Sequence, residues 1–154
     1  MGQAGAGRRC GARSVGERVT LVDTHAHLVT DDTANYPPAP PSGELKPDDL
    51  ADPMTVERLL GEMDANGVGR ALLVQRGSIY GFDSSYVCDS AARFPGRLRA
   101  IASIDATAAD GADRVRYWAQ SREAVGVRLM ELVKGADISW LDGPAARGVW
   151  EEAA

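Results

Sequence analysis

The chain has 154 residues, 44% of them hydrophobic and 25% charged, with a formal net charge of -5. That is the balance of one globular domain rather than of a disordered or fibrous chain. The acidic excess gives no support to nucleic-acid or anionic-membrane partners, and no apolar run approaches the ~20 residues of a membrane helix.

Residues 1–18 are rich in Gly, Ala and Arg and lack the apolar stretch of a secretory signal. They read as a disordered tail before a domain over 19–154. Val19-Thr20-Leu21-Val22 is β-branched and apolar, and reads as a strand buried on both faces. It runs into Asp23-Thr24-His25-Ala26-His27. The loop from Leu28 to Pro53 holds two proline clusters and forms no regular element. A loop of this length in a compact domain is usually functional or disordered.

Thr55 caps the first helix, Val56, Leu59, Leu60 and Met63 recur at helical spacing, and Asn66-Gly67 stops it. Arg70 to Gln75 is the second strand. A glycine-containing loop over Arg76 to Ser84 precedes a helix capped by Ser84 or Ser85 and ended by Pro95-Gly96. Leu98 to Ile104 is the third strand, Asp110 to Ser121 the third helix and Gly126 to Leu129 the fourth strand. A loop over Glu131 to Asp142 leads to a helix starting near Pro144.

Alternation of this kind means parallel strands joined by helices. An open doubly wound sheet and half of an eightfold barrel both satisfy it. No glycine-rich phosphate turn follows the first strand, which weighs against the open sheet and a nucleotide-binding role. A whole barrel takes about 250 residues, so only about four βα units fit here.

His25 and His27 are the only histidines. Residues i and i+2 of a strand share a face, so both imidazoles point at one spot. The carboxyl end of a strand is where parallel α/β proteins build active sites, and neutral imidazole is a common ligand for divalent ions. The bland alternative is a pair of packed or surface histidines. Two ligands fall short of the three that a catalytic zinc usually keeps. Asp23, Asp31 and Asp32 are nearby carboxylates without a telling spacing. Cys10 and Cys88 match no zinc or redox pattern and read as reduced thiols of a cytoplasmic protein, with Cys88 buried in a helix.

Val22-Asp23-Thr24-His25-Ala26-His27 resembles the opening strand of the amidohydrolase superfamily, in its amidohydrolase-related branch. Tyr36-Pro37-Pro38, Met63 to Val68, Leu73-Val74-Gln75, Tyr80 to Tyr86, Phe94 to Arg97, Gly126 to Leu129, Trp140-Leu141-Asp142 and Trp150-Glu151 follow in that branch's order. The resemblance implies a (β/α)₈ barrel and a divalent metal, zinc or manganese, although lactonase-like members work without one. It implies hydrolysis of a small carboxylated lactone, ester or amide, with non-oxidative decarboxylation as the rival chemistry. By position, His25 and His27 become metal ligands, and Gln75, Tyr80 and Arg128 become substrate-binding residues. For Arg128 the alternative is a solvated arginine on the barrel rim. The later ligands and the proton acceptor of the superfamily lie on the fifth, sixth and eighth strands, which this chain does not reach. It therefore reads as a front half with an incomplete site: a catalytically inactive truncated product that is marginal or aggregates alone, or a part that pairs in a homo-oligomer or with a complementing half-barrel.

Overall fold

The computed structural model describes residues 21–130 and 138–154. Strands β1 (Leu21–Ala26), β2 (Val68–Val74), β3 (Leu98–Ile104) and β4 (Gly126–Leu129) form one parallel sheet in sequential order. Helices α1 (Val56–Ala65), α2 (Gly77–Tyr80), α3 (Ser85–Arg93), α4 (Gly111–Arg116) and α5 (Pro144–Ala153) join or follow the strands. The sheet curls into half of a (β/α)₈ barrel. Among the described residues no helix is long and apolar enough to cross a membrane. The expected tail, Cys10 and most of the loop from Glu131 lie outside the described residues.

Strand alternation separates two faces. Ala71, Leu73, Leu98, Ala100, Ala102 and Ile104 share the buried face that packs on the helices. Leu72, Val74, Arg99, Ile101, Ser103 and Arg128 take the opposite, inner face by the same alternation. The helices supply the other half of the core. In α1, Val56, Leu59 and Met63 form the buried stripe, and Thr55 Oγ1 accepts from the Arg58 N–H at 3.3 Å. Gly67, at φ +69°, takes the left-handed turn that leads from α1 into β2.

Four expectations need correction. First, β1 is not buried: Leu21 is 55% and Val22 51% exposed. It is an edge strand, paired only with β2 among the described strands. Second, neither Ser84 nor Ser85 caps α3 with its side chain. The Ser84 hydroxyl instead accepts from the Ser103 N–H at 3.1 Å, and Asp83 Oδ1 accepts from the Ser85 N–H at 2.9 Å. A donor at the end of β3 thus competes for the serine oxygen. Third, the loop after β2 contains α2. Fourth, the third helix is not uniform: α4 passes into a π-helical turn over Tyr117–Ser121, which keeps Trp118 in the core.

No helix or strand forms between His27 and Thr55, as the prolines require. The segment is nonetheless anchored. The Val29 N–H donates to Met54 O at 2.9 Å and the Ala39 N–H to Ile79 O at 2.8 Å.

Candidate metal and substrate site

The local fold of β1 aims the two histidines. Asp23 pairs with Ala71 and Ala26 with Leu73, so β1 spends three residues where β2 spends two. Such an irregularity inserts one residue and changes the facing of everything after it. Asp23 and Ala26 both lie level with helix-facing partners, and His25 and His27, on either side of Ala26, turn to the inner face. The same bend frees the His25 N–H from regular pairing. Asp23 Oδ1 accepts it at 2.9 Å, a local side-chain-to-backbone bond that supports the irregularity.

The imidazoles come together. Their ring centroids are 4.8 Å apart and the planes are perpendicular. His25 is exposed and His27 half-buried. His27 Nδ1 lies 2.7 Å from Val74 O. A carbonyl only accepts, so Nδ1 carries the proton and donates, and the Nε2 lone pair stays free. Burial lowers the pKa of His27, opposed by the bond to Val74 and reinforced by the charges of His25, Arg128 and Arg76. Neutral imidazole is the metal-binding form.

The other expected residues divide. Arg128 lies on β4 opposite Ser103, on the inner face, within electrostatic reach of His27. Gln75 does not join the mouth. It shares the face of Ala71 and Leu73, is 1% exposed, and its Nε2 donates to Asp83 O. Tyr80 is 3% exposed and its hydroxyl accepts from the Thr30 N–H at 3.0 Å. Both side chains brace loops through these bonds, while Gln75 Oε1 has no hydrogen-bond partner among the described residues. The residue that sequence reading missed is Arg76. It follows β2, acts on the charge state of His27, and lies 3.9 Å from Asp49 on the proline-rich loop. Its place just after β2, at the carboxyl end of the strand, was the available signal.

Two adjacent imidazoles, one with its tautomer fixed, suit the first-strand portion of a divalent-metal centre. Among the described residues, no group of three or more His, Cys, Asp or Glu side chains is placed to complete one. The donor set is therefore compatible with a metal and partial.

The half-barrel of parallel strands defines the class: an α/β protein with part of a (β/α)₈ barrel, its paired histidines at the carboxyl-end mouth. The family model described as Amidohydrolase matches residues 22–154, and the chain belongs to that family. No curated protein matches significantly. Among solved structures, a probable 2-pyrone-4,6-dicarboxylic acid hydrolase from Acinetobacter baumannii, with citric acid bound, superposes with a TM-score of 0.66 at 22% identity, over 87% of this chain and 45% of that one. A 5-carboxyvanillate decarboxylase from Novosphingobium aromaticivorans, with bound manganese, gives 0.63 at 16% identity, over 89% and 49%. A 2,6-dihydroxybenzoate decarboxylase from Rhizobium gives 0.56 at 17%, over 86% and 46%. At these identities the likeness is one of fold. The chain spans about half the length of these structures.

Proposed function

We propose that this chain supplies the first metal-binding strand and part of the substrate mouth of a metal-dependent hydrolase acting on a small carboxylated lactone, ester or amide. The observation that carries the reading is the His25–His27 pair, with rings 4.8 Å apart and His27 Nε2 left free by the bond to Val74 O. In the net reaction water adds to the carbonyl carbon, the bond to the oxygen or nitrogen leaving group breaks, and an acid and an alcohol or amine result. His25 and His27 would hold a divalent ion, zinc or manganese, which would supply Lewis-acid polarisation of a carbonyl and activation of water. The Val74 carbonyl keeps His27 in the ligating tautomer. Arg128 offers a two-point fork to a substrate carboxylate. The solved structures are about twice the length of this chain, so turnover is proposed for the complete barrel.

The test loads the chain with zinc or with manganese, removes free ion by gel filtration and measures retained metal. The chain should keep ion that the His25→Ala, His27→Ala double variant loses. Equal retention by both would remove the ligand assignment. Bound manganese in the decarboxylase neighbour makes a second chemistry worth an arm. With the complete barrel, ester or lactone cleavage without carbon dioxide release is expected; carbon dioxide from an aromatic carboxylate would overturn hydrolysis in favour of decarboxylation.

A further inference from the structure

The proline-rich segment between His27 and Thr55 has a body of its own. Its ends are pinned together, since the Val29 N–H donates to Met54 O at 2.9 Å. Between those ends it bonds largely to itself. The Tyr36 N–H donates to Asp32 O, the Gly43 N–H to Pro40 O and the Asp49 N–H to Lys46 O, at 3.0, 2.9 and 3.0 Å. Leu45 and Leu50 pack on a small buried cluster of Val29, Ile79 and Tyr80 that is separate from the main core. A loop with closed ends and packing of its own is the kind of unit that opens as one body.

Little ties its middle to the rest. Among the described residues, three polar contacts join residues 31–51 to other elements. The Ala39 N–H donates to Ile79 O at 2.8 Å. Asp49 stands 3.9 Å from Arg76, farther than a hydrogen bond, just past the carboxyl end of β2. The third contact is the one hydrogen bond to a charged group: the Tyr36 hydroxyl donates to Asp89 Oδ2, on α3, at 3.1 Å. The other oxygen of Asp89 accepts from Arg122 at 2.6 Å. A carboxylate bonded through both oxygens is held in orientation, so Arg122 steadies the acceptor that Tyr36 uses.

We propose that residues 29–53 form a hinged flap beside the mouth, that Tyr36 and Asp89 are its latch, and that opening draws Asp49 away from Arg76 and clears the approach to the strand ends. The role as a gate rests on reading the mouth as the ligand site.

The experiment follows hydrogen exchange of the metal-free 154-residue chain by mass spectrometry. Residues 31–51 should exchange in one cooperative step, faster than α1 and β3. Tyr36→Phe should speed that step about threefold to tenfold, the worth of one hydrogen bond, and leave α1, α3 and β3 unchanged. Asp89→Asn should do the same, and the double variant should gain no more than either single change, because both remove one interaction. Arg122→Gln should speed the step less. Tyr36→Phe leaves α3 and its ion pair intact, so it decides the matter if Asp89→Asn unfolds. Labelling of Arg76 by phenylglyoxal should rise with the exchange rate in each variant. The flap is overturned if residues 31–51 exchange no faster than α1, or if their parts exchange at unrelated rates. No change in Tyr36→Phe, or additive effects in the double variant, overturns the latch. Unchanged Arg76 labelling in variants that open faster overturns the gate. No metal enters these measurements, so the flap stands or falls apart from the assignment of His25 and His27.

Discussion

Side chains that never meet a ligand decide whether the mouth has the right shape. Asp23 is the clearest. Its carboxylate takes the His25 N–H at the point where β1 slips by one residue against β2. Asp23→Ala removes that acceptor and lets His25 drift between facings. Zinc affinity should fall about tenfold, the scale for losing a residue that orients a ligand, while Asp23→Asn should retain most of it. Equal affinities for all three would show that the bend holds itself. Tyr80 offers the opposite contrast. Its hydroxyl serves the buried Thr30 N–H, so Tyr80→Phe should cost about 1–3 kcal/mol in urea unfolding. Unchanged stability would mean that the hydroxyl is free for the ligand role that the resemblance implies.

Cys88 is buried, and burial pushes its thiol up to about 11 from an ordinary 9.0. The unfolded chain therefore gives up this proton at a lower pH than the folded chain does. The thiol's contribution is complete below pH 9 and disappears as pH rises towards 11. In a Cys10→Ser background, the melting temperature should drop over that interval more steeply than in the same protein with Cys88→Ala. Parallel curves would mean the thiol is solvated. The same burial argues against a nucleophilic role, since the thiolate is the reactive form.

Elements were most legible where apolar β-branched or small residues ran unbroken between turn signals. The limits of β3 and β4, and the stop of α1 at Asn66-Gly67, agree with the pattern of residues alone. What escaped was what depends on distant partners. The two-residue spacing of His25 and His27 gave a common facing, but which face followed from the slip against β2, some 45 residues away. The burial expected for β1 presumed neighbours on both sides. Gln75, just past the strand end, is buried on the side of Leu73, which strand-end position alone does not reveal.

The contact between α4 and α5 gives the element scale its own test. A Cβ built on Gly111 would lie 2.7 Å from Val149 Cγ2 and 3.1 Å from Asp105 O. Val149 is fully buried and has little room to turn. Gly111→Ala should therefore destabilise by about 1–3 kcal/mol despite its better helix propensity, because overpacking exceeds the gain of roughly 1 kcal/mol from alanine. Adding Val149→Ala to Gly111→Ala should cost less than the sum of the two single changes, since it opens the space the new methyl needs. Simple additivity would mean that the strain lies at Asp105 instead.

On the scale of the molecule, the sheet is half of a closed object. Its inner face carries Val22, Leu72 and Ile101, with Arg70 and Arg99 towards the amino ends of the strands. Val22, Arg70, Leu72 and Arg99 line an open cleft of about 350 Å³. A complete barrel fills this region with layered side chains and leaves no strand edge. Full burial of a Val, Leu or Ile is worth about 1.5–3 kcal/mol each. Leaving three of them wet or half-covered thus forfeits several kcal/mol, against a net stability of only 5–15 kcal/mol for an ordinary domain. The surface ion pairs, such as Arg93–Glu57 and Arg97–Asp64, do not make up the difference, since exposed pairs contribute about 1 kcal/mol or less. The free edges of β1 and β4 add unpaired backbone groups that invite another strand. On its own, the 154-residue chain should bind a hydrophobic dye and elute with a concentration-dependent apparent mass above that of a monomer. Leu72→Glu places a carboxylate beside Arg70 and Arg99 and should suppress both effects. A monodisperse monomer with sharp cooperative unfolding and no dye binding would mean that the inner face is satisfied within the chain, and the barrel-half account of this fold's energetics would have to be abandoned.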